Sequence, residues 1–222
     1  MTLLARKDTL VLRQLFEKRL TAPVTIDYFT RPEAMLDVPG RECEGCDDTE
    51  RLLEEVAALS DRIRLVVHDF FGDDEAASAR GVDRIPAIVL SGRAKGRVRY
   101  FGVPSGYEFG GFIEELIEVA SGTTDLAPAT KAALQGLARD VHIRVFVTPG
   151  CPFCPAAARL AQKMAVESDK VTADVVEATE FPDLAERYEV HGVPKVIVNE
   201  TVEFTGAQPE HGFLRSVLQA VV

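Results

Sequence analysis

The 222-residue chain contains no apolar run of membrane-spanning length, a single asparagine (Asn199), only four cysteines and no surplus of positive charge. Each shortage excludes a class of protein. A helix that crosses a bilayer needs about 20 consecutive apolar residues. Residues 1–19 interleave Arg6, Lys7, Asp8, Arg13, Glu17, Lys18 and Arg19 with their apolar positions, so they lack the unbroken apolar core of a secretory signal. A net charge of −10 repels a phosphate backbone, which excludes nucleic acid as a partner. The expectation is a soluble, cytoplasmic protein with no membrane and no nucleic-acid partner. Scarce Asn beside plentiful Arg and Glu points to a thermophilic source. With 46% apolar and 27% charged residues, the chain can bury one large core or two small ones.

The four cysteines form two CxxC pairs, Cys43-Glu44-Gly45-Cys46 and Cys151-Pro152-Phe153-Cys154. In a cytosolic βα context such pairs are redox centres or metal ligands. A zinc ribbon usually spaces its two pairs by about 15–20 residues, whereas about a hundred intervene here. No metal site is therefore expected. The second pair follows the apolar run Ile143–Val147 and the turn-prone Thr148-Pro149-Gly150, and precedes a helical pattern over Ala156–Val166. It should stand where a strand turns into a helix. Unpaired amides and the positive end of the macrodipole at a helix start favour an anion, so Cys151 should ionise readily and act as nucleophile. Cys154, one helical turn on, can attack a mixed disulfide at Cys151 and release the product. Pro152 suits a first helical position, whereas Pro155, at a fourth one, would remove an N–H that could bond to the Cys151 carbonyl and so bend the first turn.

A helix is expected over Asp8–Leu20, with Asp8 as N-cap and Leu10, Val11, Gln14 and Leu15 at helical intervals. A strand at Val24–Thr30, a loop from Arg31 to Glu42, the first CxxC and a helix over Thr49–Leu59 follow. Then come a strand at Ile63–Val67, a short helix at Asp73–Arg80, a proline-led strand at Ile85–Leu90, a solvated hairpin tip at Arg93–Arg97 and a helix at Phe112–Ala120. After Ser121-Gly122-Thr123-Thr124 the series restarts with a helix near Thr130–Leu137. A shift of 108 residues, without a gap, superposes Cys43 on Cys151, Cys46 on Cys154, Arg51 on Arg159, Leu52 on Leu160, Asp61 on Asp169, Val82 on Val190 and Pro86 on Pro194. The chain is a tandem duplication with units at residues 1–121 and 122–222. Each half places a proline 43 residues after its first cysteine, in Ile85-Pro86 and Val193-Pro194. Proline cannot donate to a ladder, so each should open a strand or mark a bend, with a cis bond expected.

A strand–CxxC–helix followed by a hydrophobic-Pro dipeptide entering a strand resembles the thioredoxin superfamily. Two such units in one chain resemble the protein disulfide oxidoreductases of thermophilic archaea and bacteria, relatives of protein disulfide isomerase. The resemblance implies an α/β protein of two tandem thioredoxin-like folds, each a mixed central sheet flanked by helices. It implies attacking thiols at Cys43 and Cys151, resolving thiols at Cys46 and Cys154, and a substrate ledge at Ile85-Pro86 and Val193-Pro194, with Phe153 as an apolar wall. The implied activity is reduction, formation or isomerisation of protein disulfides, with no cofactor besides the redox-active disulfides and a reductase of the thioredoxin reductase type as partner. Glu44, Asp47 and Asp48 should disfavour a thiolate at Cys43 and leave Cys151–Cys154 as the main site.

Two other functions fit parts of the pattern. Cys-Pro-Phe-Cys with Val193-Pro194 also resembles glutaredoxins, but the Lys before the CxxC and the Gly-Gly-Asp run that bind glutathione there are missing. The tandem thioredoxin-like domain of the bacterial alkyl hydroperoxide reductase flavoprotein is similar as well, which would make the chain an electron relay to a peroxiredoxin.

Overall fold

The computed structural model describes residues 3–32 and 42–221. Most of the expected loop before the first CxxC, with Pro39 and Gly40, lies outside the described residues. The element order is α1 (Arg6–Arg19), β1 (Val24–Thr30), α2 (Cys46–Ala57), β2 (Ile63–Asp69), α3 (Asp74–Arg80), β3 (Ala87–Ser91), β4 (Arg97–Phe101) and α4 (Tyr107–Ser121). It repeats as α5 (Pro128–Gln135), β5 (Val141–Val147), α6 (Cys154–Glu167), β6 (Val171–Glu177), α7 (Pro182–Arg187), β7 (Lys195–Val198), β8 (Val202–Thr205) and α8 (Glu210–Gln219).

All eight strands join one sheet in the order β2-β1-β3-β4-β6-β5-β7-β8. Within each half the pattern is identical. β1 pairs parallel with β2 and antiparallel with β3, which pairs antiparallel with β4; β5, β6, β7 and β8 repeat this. The halves meet along a parallel β4–β6 pair, which sets Arg99 opposite Asp174. The duplication is thus a fact of the topology as well as of the residue pattern, although a single sheet runs through both copies.

The sheet is covered on both faces, as alternating side chains with period two allow. Tyr28, Ile88, Val145 and Val175 face the larger core with Phe16 of α1, Leu53 of α2, Leu116 of α4, Met164 of α6 and Phe213 of α8. Phe29, Val89, Phe146 and Val176 face a smaller core with Ala77 of α3 and Leu184 of α7. On that smaller side a polar line crosses the junction: Arg99 binds the Asp174 carboxylate at 2.6 and 2.9 Å, and His142 reaches its other side at 2.5 Å.

Two expectations for α1 need correcting. The helix starts at Arg6 with Ala5 before it, so Asp8 sits in the first turn instead of capping it. Leu10 and Val11 are among the most exposed large apolar residues, while Leu12, Phe16 and Leu20 are buried. Both stripes have helical spacing, and the one that adds an aromatic ring at i+4 buries more area. At the tip, Arg93, Lys95 and Arg97 are exposed as expected, but its backbone has a further role. Its amides cap two helices from different halves, Arg93 and Ala94 donating to the Val119 carbonyl at 2.8 and 3.2 Å, Lys95 to Val166 at 3.1 Å and Gly96 to Ala165 at 2.8 Å. Among the described residues no helix is long and apolar enough to cross a membrane.

Candidate active site

Each CxxC lies where a strand hands over to a helix. β5 ends at Val147 and Cys154 is the first residue of α6; β1 ends at Thr30 and Cys46 is the first residue of α2. Helix α6 starts at Cys154, two residues after the first helical position expected at Pro152, which relocates two prolines. Pro152 precedes the helix, and Pro155 falls in its opening two positions, where the N–H has no intrahelical partner in any case. No bond is lost there, and the expected bend has no cause.

Each pair closes as its own disulfide, Cys43–Cys46 and Cys151–Cys154, with 5.5 Å between Cα atoms in both. In both, the first sulfur residue is 8% exposed and the second 0%. The first cysteine of each pair is thus the less enclosed of the two. Around Cys151 the geometry suits an anion. The backbone N–H of Cys154, one of the orphan donors of the helix start, points at Cys151 Sγ from 3.1 Å. Cys151 Sγ also lies 3.7 Å from the carbonyl oxygen of Val193. The Val193–Pro194 and Ile85–Pro86 peptide bonds are both cis. Pro194 and Pro86 are buried and Val193 and Ile85 half-buried, each dipeptide directly before a strand. Phe153 stands out from the second site at 68% exposure.

The first site is held from below by residues that pattern reading did not single out. Tyr28 of β1 donates its hydroxyl to the Cys46 carbonyl at 2.7 Å, and the Thr49 hydroxyl donates to the Gly45 carbonyl at 2.7 Å. The carboxylates of Asp47 and Asp48 are exposed and lie 3.4 Å from Arg31 and 3.0 Å from Arg51. Their pull on Cys43 is weaker than the bare sequence suggests, because water and two guanidiniums screen it.

Between the halves lies a group of acids on the face that carries both CxxC helices. The Tyr100 hydroxyl of β4 and an oxygen each of Glu108, Glu115, Glu177 and Glu180 are buried without a hydrogen-bond partner among the described residues. Burial pushes the Glu108 carboxyl up to about 7 against the opposing pull of Arg159. Burial likewise raises Glu115 far above the ordinary carboxylate range, although Arg159 and a Gln162 hydrogen bond oppose it. Gly106 and Tyr107, next to Glu108, touch Pro149 in the turn that leads to Cys151: the Tyr107 N–H donates to the Pro149 carbonyl at 3.0 Å. Only the tertiary fold assembles these acids, which come from α4, β6 and the turn after it. No histidine among the described residues is seen to hydrogen-bond a cysteine sulfur. His191 is exposed, His68 pairs with Asp27 at 2.9 Å, and His142 pairs with Asp174. Among the described residues no three His, Cys, Asp or Glu side chains group to hold a metal ion.

Comparison with known proteins agrees with this geometry. Residues 141–219 match the thioredoxin domain family model. A thioredoxin from Methanocaldococcus jannaschii is 35% identical over 78 residues, which is 35% of this chain and 92% of that protein. A protein disulfide oxidoreductase from Aeropyrum pernix has a solved structure that superposes with a TM-score of 0.86 at 29% identity, covering 98% of this chain and 93% of the other. The F component of alkyl hydroperoxide reductase from Xanthomonas campestris pv. phaseoli is 25% identical over 183 residues, which is 82% of this chain and 31% of that longer protein.

Proposed function

This chain belongs to the thioredoxin family and is a dithiol–disulfide oxidoreductase built of tandem thioredoxin-like folds, and on that premise we propose that Cys151–Cys154 is its main active site and Cys43–Cys46 a second, less reactive one. Residues 1–121 form the first unit and 122–222 the second. The reading rests on one observation above others: the sulfur of Cys151, the less enclosed cysteine of its pair, faces the orphan N–H of Cys154 at 3.1 Å, with Cys154 itself fully buried. An amide aimed at that position favours a thiolate there.

The reaction follows from these positions. The Cys151 thiolate attacks one sulfur of a protein disulfide, a mixed disulfide forms, and the other substrate sulfur leaves as a thiolate that takes a proton. Cys154 then loses its proton and attacks Cys151 Sγ. The second substrate sulfur leaves as a thiol and the Cys151–Cys154 disulfide closes. Two electrons have passed from the dithiol to the substrate. Run in reverse, the same steps oxidise a substrate dithiol. Val193-Pro194 forms the ledge on which the substrate backbone lies, Ile85-Pro86 the corresponding ledge at the first site, and exposed Phe153 the apolar wall. No cofactor beyond the two disulfides takes part. A reductase of the thioredoxin reductase type regenerates the dithiol, in the cytoplasm. The similarity to the F component of alkyl hydroperoxide reductase supports a second reading, in which the reduced sites pass electrons to a peroxiredoxin.

Insulin reduction by dithiothreitol tests the assignment. Cys151→Ser should lower the rate at least about tenfold, since it removes the sulfur nucleophile, and Cys43→Ser should lower it less. Equal losses from the two substitutions would defeat the ranking. Glutathione-dependent turnover of a small mixed disulfide should be absent, and its presence would favour a glutaredoxin.

A further inference from the structure

Gly45, between the cysteines of the first site, is also the residue before the first turn of α2. A Cβ on it would come within 2.2 Å of Oε2 of Glu180. Glu180 belongs to the other half of the chain, in the turn after β6. Its carboxyl group therefore occupies the space that a side chain at position 45 would take, directly against the start of the helix that carries Cys46. A second glycine makes room for it from the other side. Gly102, at φ +104°, would with any Cβ approach the Glu180 carboxyl at 2.8 Å and Glu177 at 2.6 Å. The Val103 N–H donates to Glu180 Oε1 at 2.7 Å, while Oε2 is buried with no hydrogen-bond partner among the described residues. The backbone N–H of Glu180 in turn donates to Glu177 at 2.7 Å. A carboxylate is thus delivered by the second half to the anion-favouring end of a first-half helix and fixed there through one oxygen only.

We propose that Glu180 is a positioning residue for the first disulfide site: its carboxylate stands against Gly45, between the two cysteines at the start of α2, and its charge disfavours a Cys43 thiolate and so keeps that thiol less nucleophilic. The inference rests on the proposed reading that Cys43–Cys46 is a working site. Two negative charges near one helix start, in a region poor in water, oppose each other, and the amide dipoles that stabilise one are partly spent on the other. The other charges facing this corner do not replace Glu180. Asp47 and Asp48 of α2 are exposed and paired with Arg31 and Arg51. Glu44 is exposed, Glu177 of β6 lies behind Glu180, and Tyr100 of β4 adds a neutral hydroxyl. Burial and the neighbouring Glu177 raise the Glu180 carboxyl above its ordinary range, against the Val103 hydrogen bond. That cost is what a negative charge at this spot experiences. The second site contrasts with the first: its position equivalent to Gly45 is Phe153, whose side chain is turned to solvent.

The test is the pH profile of iodoacetamide alkylation at Cys43, located by peptide mass mapping, in reduced protein carrying Cys151→Ser and Cys154→Ser. Glu180→Gln keeps an oxygen for the Val103 N–H and removes only the charge. The alkylation midpoint should fall by about one pH unit, equivalent to about tenfold more thiolate below both midpoints. Gly45→Ala, which expels the carboxylate without deleting it, should move the midpoint the same way. Circular dichroism must show both variants folded across the pH range, because an unfolded chain returns Cys43 to the free-thiol value of about 8.5 and would mimic the fall. A midpoint that stays put or rises in Glu180→Gln overturns the inference and leaves the proposed function intact. A Cys43 that no reagent alkylates at any pH overturns the inference and removes the first site from the proposed function.

Discussion

Arg99→Met is the substitution that most directly tests whether the two halves are one folding unit. Arg99 on β4 and Asp174 on β6 stand opposite each other across the strand pair that joins the halves. Their side chains are 8% and 4% exposed, with two N–H···O bonds of 2.6 and 2.9 Å between them. Arg99 also donates to the carbonyls of Gly81 and Arg80, which secures the end of α3. Removing the guanidinium strands a buried carboxylate with only His142 beside it. Breaking a buried pair from one side costs about 3–5 kcal/mol. For a chain of this size each kcal/mol moves the melting temperature by about 2–4 °C, so the expected fall is roughly 6–20 °C. Circular dichroism during thermal and urea unfolding measures it, and a single transition should persist. Adding Asp174→Leu should restore at least half of the loss, because an apolar pair of similar volume is tolerated where a lone charge is not. The pH dependence has a definite sign. Burial raises the Asp174 carboxyl, but the His142 hydrogen bond and the Arg99 charge outweigh it and bring it below 3.8. Its stabilisation is present above that unfolded value and is lost as pH falls through the lower folded one, so the gap between the two proteins should close in acid. A loss under about 1 kcal/mol, the range of an exposed pair, would refute the reasoning.

The remaining expectations are narrower. The Glu108 carboxyl, raised by burial from 4.5 to about 7, penalises the folded state from pH 4.5 upward and fully above 7. Glu108→Gln should therefore raise the unfolding free energy at pH 8 by up to about 3 kcal/mol and leave it nearly unchanged at pH 4; urea titrations at both pH values decide, and a pH-independent difference would contradict the burial argument. Phe153→Ala removes an apolar ring that is 68% exposed. It should raise KM for a protein disulfide about tenfold, as loss of an interface anchor does, and leave turnover of a small disulfide unchanged. Equal effects on both substrates would place Phe153 in the structure of the site instead of its contact surface.

Local chemistry makes much of this protein legible from its residues. Strand and helix periods, the CxxC pairs and the prolines at one offset repeat along the chain, so the duplicated α/β pattern can be read without coordinates. Local reasoning fails where two solutions are nearly equal. Leu10–Val11 and Leu12–Phe16 both make an apolar stripe on α1, and only the sheet beneath chooses between them. Pro152 suits a helix start and Pro155 conflicts with one that begins there, until the first turn of α6 is located at Cys154 and puts Pro155 in its opening positions.

What the chain alone determined is where sulfur, proline and the turns of each unit fall, because hydrogen-bonding period and ring constraint act over a few neighbours. The tertiary structure decided that both units share one sheet, that Arg99 meets Asp174, and that Glu180 reaches the turn at Gly45. Those meetings span 75 to 135 positions, from Arg99 to Asp174 and from Gly45 to Glu180. No local period encodes them, and they arise only when strand pairing and burial bring distant charges into the same dry space.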